Sequence, residues 1–144
     1  MDSHHRKQEL TLLPTGRHLR SSRKREQRIL NNNNSMSEIK SKSYTLRTES
    51  GSWLGQIVLT SDGMFASITD YGNLSFGWRH TGRDDFRQFI CDLNVEYFGG
   101  KMYQGNTYIL YSQKCQKACM RFAEKILPPL QKLLRQDIID NPKF

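Results

Sequence analysis

Residues Trp53 to Arg79 read WLGQIVLTSDGMFASITDYGNLSFGWR, and this stretch decides the fold. Trp53 to Thr60 is rich in large and β-branched side chains, the composition of a strand. Ser61-Asp62-Gly63 follows as a tight hairpin signal, because Asp-Gly readily supplies positive φ. Met64 to Thr69 returns as a second strand, and Asp70-Tyr71-Gly72-Asn73 turns the chain again. Leu74, Phe76 and Trp78 then alternate with Ser75, Gly77 and Arg79, which gives a strand with one apolar and one small or polar face.

The pattern extends upstream. Tyr44, Leu46 and Thr48 share one face, Thr45 and Arg47 the other, and Glu49-Ser50-Gly51-Ser52 makes a turn into Trp53. Four strands joined by such short turns run antiparallel, since a parallel pair needs a crossover of a dozen or more residues. A sheet of this kind leaves an apolar face that helices must cover. Downstream, Thr81-Gly82-Arg83-Asp84 resembles a capping box, with Asp84 and Asp85 in the first helical turn. Phe86, Phe89, Ile90 and Leu93 form one stripe on a helix of about three turns that ends near Asn94. Between Gly99 and Tyr111, Met102-Tyr103 and Tyr108 to Tyr111 read as a further short hairpin or as a loop with its aromatics against the sheet. Cys115, Cys119, Phe122, Ile126, Leu130 and Leu133 recur at helical spacing, with Lys114, Lys117, Arg121, Lys125 and Lys132 on other faces. Pro128-Pro129 predicts a kink there, or a break with a second piece starting at Pro129. The expected fold is therefore α+β: a four-stranded antiparallel β-meander covered on one face by a short helix and a longer, Pro-kinked C-terminal helix.

The 144 residues carry a formal charge of +8, unevenly spread. Residues 1–35 hold eight Lys/Arg against Asp2, Glu9 and Glu26, so only +3 belongs to the rest. This first segment also contains His4-His5, the cluster Arg23-Lys24-Arg25 and the tract Asn31 to Asn34. Such a composition buries too little apolar surface to offset its ordering entropy and reads as a disordered basic leader. It is open to three readings: an arm attracted to nucleic acid or membrane, an ordinary solvated tail, or a non-native leader. The third is favoured, because Met36-Ser37-Glu38 looks like a translation start and the periodic pattern begins directly after it, giving a single domain over 36–144. Three cysteines make no disulfide framework, and no apolar run approaches the ~20 residues that span a bilayer. A cytoplasmic protein without membrane contact is expected.

Catalytic chemistry finds little purchase. Cys115 and Cys119 have the i, i+4 spacing of paired metal ligands, but both fall on the apolar stripe, where cysteine packs as a small hydrophobe. His80 is the sole histidine of the domain, and no nucleophile is placed beside it by the sequence. Gly99-Gly100-Lys101 lacks the flanking pattern of a phosphate-binding loop. Catalytic, cofactor and metal residues are thus none. Arg47, Phe65, Tyr71, Arg79, His80 and Lys101 are the candidate interaction surface, able to present aromatics and cations together on the sheet.

The run Trp53 to Thr60, its continuation Asp62 to Asn73, Phe76-Gly77-Trp78-Arg79 and Asp85-Phe86-Arg87-Gln88-Phe89 resemble a family of small proteins encoded by bacteriophages and prophages. The resemblance covers roughly Tyr44 to Leu134 and omits the basic leader. It implies a bacterial cytoplasm and an accessory role, and it transfers no catalytic residue. The expectation is a non-enzymatic phage accessory protein that binds a host or defence protein or associates with itself. The alternative is a nucleic-acid-binding protein using a basic, aromatic sheet face.

Overall fold

The computed structural model describes residues 38–106 and 112–144. The leader over residues 1–35 and the reading of Tyr108 to Tyr111 lie outside them. Alternating side chains and short glycine turns produce a four-stranded antiparallel sheet of β1 (Ser41–Arg47), β2 (Trp53–Thr60), β3 (Met64–Thr69) and β4 (Ser75–Gly77), in that spatial order. Tyr44 lies opposite Ile57 and Leu46 opposite Gly55, Leu59 faces Phe65, and Phe65 faces Phe76. Opposed residues share a face, so these registers gather the large apolar side chains on one side of the sheet. The register shifts between Leu46 and Arg47, where the edge strand begins to turn. Gly63 is required for a local reason. Its φ is +98°, and a Cβ there would run into the Trp78 carbonyl, while its own carbonyl accepts from Trp78 N at 2.8 Å.

Three helices cover the apolar face: α1 (Phe86–Cys91), α2 (Val95–Asn106) and α3 (Gln113–Asp140). Two expectations change at α1. Its N-cap is Asp85, which accepts from Arg87 N at 2.9 Å, whereas Thr81 Oγ1 accepts from Arg83 N in a turn before the helix; the expected Thr81–Asp84 capping box does not form. The helix also stops after Cys91, because Asn94 caps a new helix by accepting from Tyr97 N at 2.7 Å. That helix, α2, replaces the hairpin or loop expected at Met102-Tyr103. Its glycines act as contact points: a Cβ on Gly99 would crowd the Met120 sulfur and sit 3.3 Å from Ala123 Cβ. The helix α3 starts at the N-cap Ser112 and is one long C-terminal helix through Pro128 and Pro129, so of the two alternatives expected there the break does not occur.

The core lies between sheet and helices. Phe65, Phe98 and Phe122 are fully buried, with ring centroids 5.3 Å apart for Phe65–Phe98 and 6.2 Å for Phe98–Phe122. Trp78 extends this cluster to Phe76, Phe86 and Phe89. Cys119 belongs to the core, but Cys115 is only half-buried, one turn closer to the start of α3. Burial pushes the Cys91 and Cys119 thiols up, away from the reactive thiolate.

Candidate functional site

The structure distributes the six residues expected to form one surface among separate places. Phe65 faces the helices and is fully buried, because its β-strand parity is that of Leu59 and Phe76; it belongs to no surface. Arg47 and Tyr71 line one groove at the end of the sheet, together with Leu46, Leu54, Pro128, Pro129 and Leu133. There the Arg121 guanidinium lies 5.4 Å from the Tyr71 ring centroid. Arg79 and His80 line another groove, with Ser61, Asp62, Asp84 and Phe86. Lys101 stands on α2, its ammonium 5.6 Å from the Phe76 ring centre and 5.4 Å from that of Tyr97.

His80 thus shares a groove with a serine and two carboxylates. No hydrogen bond joins its imidazole to any of them among the described residues, and Ser61 Oγ instead accepts from Lys40 N at 2.9 Å. Among the described residues no group of three His, Cys, Asp or Glu side chains could hold a metal ion.

Among the described residues, the side of the sheet turned away from the helices carries a run of exposed positions. Side-chain alternation places Ser41, Ser43 and Thr45 of β1 there, with Gln56 and Val58 of β2, Met64, Ala66 and Ile68 of β3, and Ser75 and Gly77 of β4. Ile68 is 61% exposed and Met64 45%. None of these positions is charged or aromatic; the exception stands at the end of the sheet, where the exposed Arg47 of β1 pairs with the 40% exposed Trp53 of β2. Away from that end the face carries no basic side chain and no aromatic on which nucleic-acid bases could stack, and Phe65 is turned inward to the helices. What the face offers there is a flat surface of small, hydroxyl-bearing and aliphatic side chains, whose desolvation carries no charge penalty.

Sequence reasoning missed the most heavily bonded polar cluster, which ties the sheet to two helices. The Arg87 side chain is fully buried between Asp85 and Asp137. Its Nη2 donates to Asp85 Oδ2 at 2.7 Å, and its Nη1 donates to Asp137 Oδ2 at 2.8 Å. Asp137 also accepts from Tyr44 Oη at 2.8 Å, Lys42 Nζ at 3.0 Å and Asn141 Nδ2 at 2.8 Å. The Phe144 ring covers the guanidinium, 5.6 Å from its centre. Burial alone would raise the Asp137 carboxyl, but its donors from Arg87, Tyr44, Lys42 and Asn141 outweigh this and hold it far below the usual carboxylate range. Burial and then the Asp137 hydrogen bond push the Tyr44 phenol well above its ordinary value. Asp85 and Asp137 are held in the ionised form and Tyr44 in the neutral one, so the cluster clamps the sheet to the helices through fixed donors and acceptors. A signal for it existed in the sequence: Arg87 lies at i, i+3 and i+4 with the buried Ile90 and Cys91.

A family model named Phage_phiTE_072 and described as "Phage family" matches residues 36–121. No curated protein and no solved structure matches the chain. No helix among the described residues is long and apolar enough to cross a membrane.

Proposed function

The chain belongs to this phage family, and on that premise we propose that it is a non-enzymatic accessory protein acting by protein docking in the bacterial host cytoplasm. Its docking surface is the open face of the sheet, and its partner is a host protein or a second copy of itself. The observation that carries the reading is the lack of charge across the middle of that face, over Ser43, Val58, Ala66 and Ser75, with Ile68 and Met64 protruding and Arg47 standing only at its end. A sheet face that only met water would gain solubility from charged side chains at no cost to the core. A protein interface has the opposite requirement, because charges are depleted where the contact is driest. Three free cysteines, two of them buried, are compatible with a reducing compartment.

The test places charge on the face without touching the core. Ser43→Lys/Ile68→Lys leaves the melting temperature near that of the parent chain, since both positions are exposed. It abolishes the complex, read by light scattering for self-association and by affinity capture from nuclease-treated host lysate for a host partner. If the doubly charged variant keeps the same mass and the same captured protein, the sheet face is not the docking surface.

A further inference from the structure

The helix α3 carries a second surface of different chemistry. Lys114, Lys117, Arg121, Lys125, Lys132 and Arg135 of α3 are all exposed. At 100° per residue they fall within a strip about 80° wide and about 32 Å long. Cys119, Phe122, Ile126 and Leu130 are buried on the other side of the same helix, and Lys125 and Lys132 of the strip border the groove at the end of the sheet. We infer that this strip is a contact for a nucleic-acid phosphodiester backbone.

Apart from Arg121, whose guanidinium lies over the Tyr71 ring, the fold gives these cations little reason to be where they are. None of the six forms an ion pair among the described residues; the ion pairs there belong to Lys42, Arg83 and Arg87. Lys117, Arg121 and Lys125 stand at successive i, i+4 positions, where like charges destabilise a helix. The helix dipole disfavours cations near its N-terminus and favours them at its C-terminus. Here Lys114 and Lys117 lie near the N-terminus, with no acid in the first turn and no base in the last. The strip therefore runs against the electrostatics of its own helix, and an external polyanion reverses the sign of each of these terms. Glu124 is the one acid along its flank.

The shape and composition select the class of polyanion. Protein interfaces rely on apolar anchors at their centre. Inside the strip, between Lys125 and Lys132, lies the exposed Pro128, and Gln113, Gln116 and the half-buried Met120 flank it, with no exposed aromatic. A straight row of cations without an aromatic anchor suits a regularly charged backbone, and its length spans about nine steps of 3.4 Å along one nucleic-acid strand.

The test uses the full chain and a fluorescein-labelled 24-base-pair DNA duplex, followed by fluorescence anisotropy between 50 and 200 mM salt. With about four phosphate contacts, affinity falls roughly a hundredfold across that range. Lys114→Gln/Lys117→Gln/Lys125→Gln, which spares the Arg121 contact with Tyr71, lowers affinity at 50 mM salt at least tenfold and reduces the slope of log K against log[salt] by about 2.7. Lys117→Arg/Lys125→Arg retains both. The N-terminal segment is the same in every chain, so its contribution cancels from each difference. Circular dichroism of the triple variant shows an intact fold melting no lower than the parent, because repulsion has been relieved. Should it melt lower, the single Lys125→Gln variant is read instead, with a slope loss of about 0.9. An unchanged affinity and slope in the neutralised chain overturns the inference, as does a parent chain that fails to bind at 50 mM salt. Equal affinity for a poly-glutamate of matched charge overturns it in favour of an acidic protein partner.

Discussion

Arg87 shows how much one side chain organises here. It is buried on α1, yet its bonds reach Asp85 beside it and Asp137 fifty residues away. Arg87→Met fills a similar volume but leaves Asp85 and Asp137 facing each other without the guanidinium. Breaking one partner out of a buried pair costs about 3–5 kcal/mol, so the variant loses that much in urea denaturation. Hydrogen bonds and the charge of Arg87 more than offset burial at Asp85 and Asp137, so both have folded pKa values below their unfolded ones. Their contribution is present above the ordinary carboxylate pKa of about 4 and is lost as pH falls below it. Tyr44 behaves in the opposite sense. Its folded pKa is raised, so its contribution is present below the ordinary value of about 10 and is lost as pH rises beyond it. Thermal melts across pH therefore show a plateau with an acid and an alkaline limb, and Tyr44→Phe flattens the alkaline limb specifically. The clamp was hard to read in the sequence because its partners are set by tertiary packing. Only the position of Arg87 on an apolar stripe hinted at burial, and a lone arginine there reads as the edge of a polar face.

Among the elements, the hairpins were legible and the second helix was not. Asp62-Gly63 and the Asp70-to-Asn73 turn are local signals, and their glycines adopt the positive φ that the turn chemistry demands, +98° at Gly63 and +125° at Gly72. In α2 the same residue type has another use. Gly99 brings α2 close to Met120 and Ala123, and Gly105 meets Ser75 and the Phe76 ring, contacts invisible before the helices are packed. Pro128 and Pro129 mislead in the other direction. Each removes an amide donor, so the carbonyls of Glu124 and Lys125 lack their usual helical partners, yet α3 continues to Asp140. Packing holds it: Ile126, Leu127, Leu130 and Leu134 are at most 1% exposed on either side of the prolines. Because the conformation is already helical, Pro128→Ala/Pro129→Ala restores two donors and stabilises the chain by about 3 kcal/mol in urea denaturation. A loss of stability would mean that the pyrrolidine rings lining the groove near Tyr71 contribute more packing than the missing hydrogen bonds cost.

At the scale of the whole molecule, the family match and the core do not have the same boundary. The matched segment ends at residue 121, within α3. Beyond it lie Phe122, Ala123, Ile126, Leu127, Leu130 and Leu134, all at most 1% exposed, and Asp137, which receives the sheet and α1 in the clamp. Burying a large aliphatic or aromatic side chain contributes about 1.5–3 kcal/mol, so the five large ones here contribute roughly 10 kcal/mol. A domain of this size has a net stability of only about 5–15 kcal/mol. Ending the chain after Arg121 therefore removes most or all of the margin, before the unpaired Arg87 is counted. The expected outcome is that residues 36–121 alone lack the dispersed amide spectrum and cooperative melt of 36–144, while the longer chain has both. A cooperative melt from the shorter chain would mean that the sheet, α1 and α2 form a core of their own. In that case the second half of α3 would serve its basic strip rather than the fold.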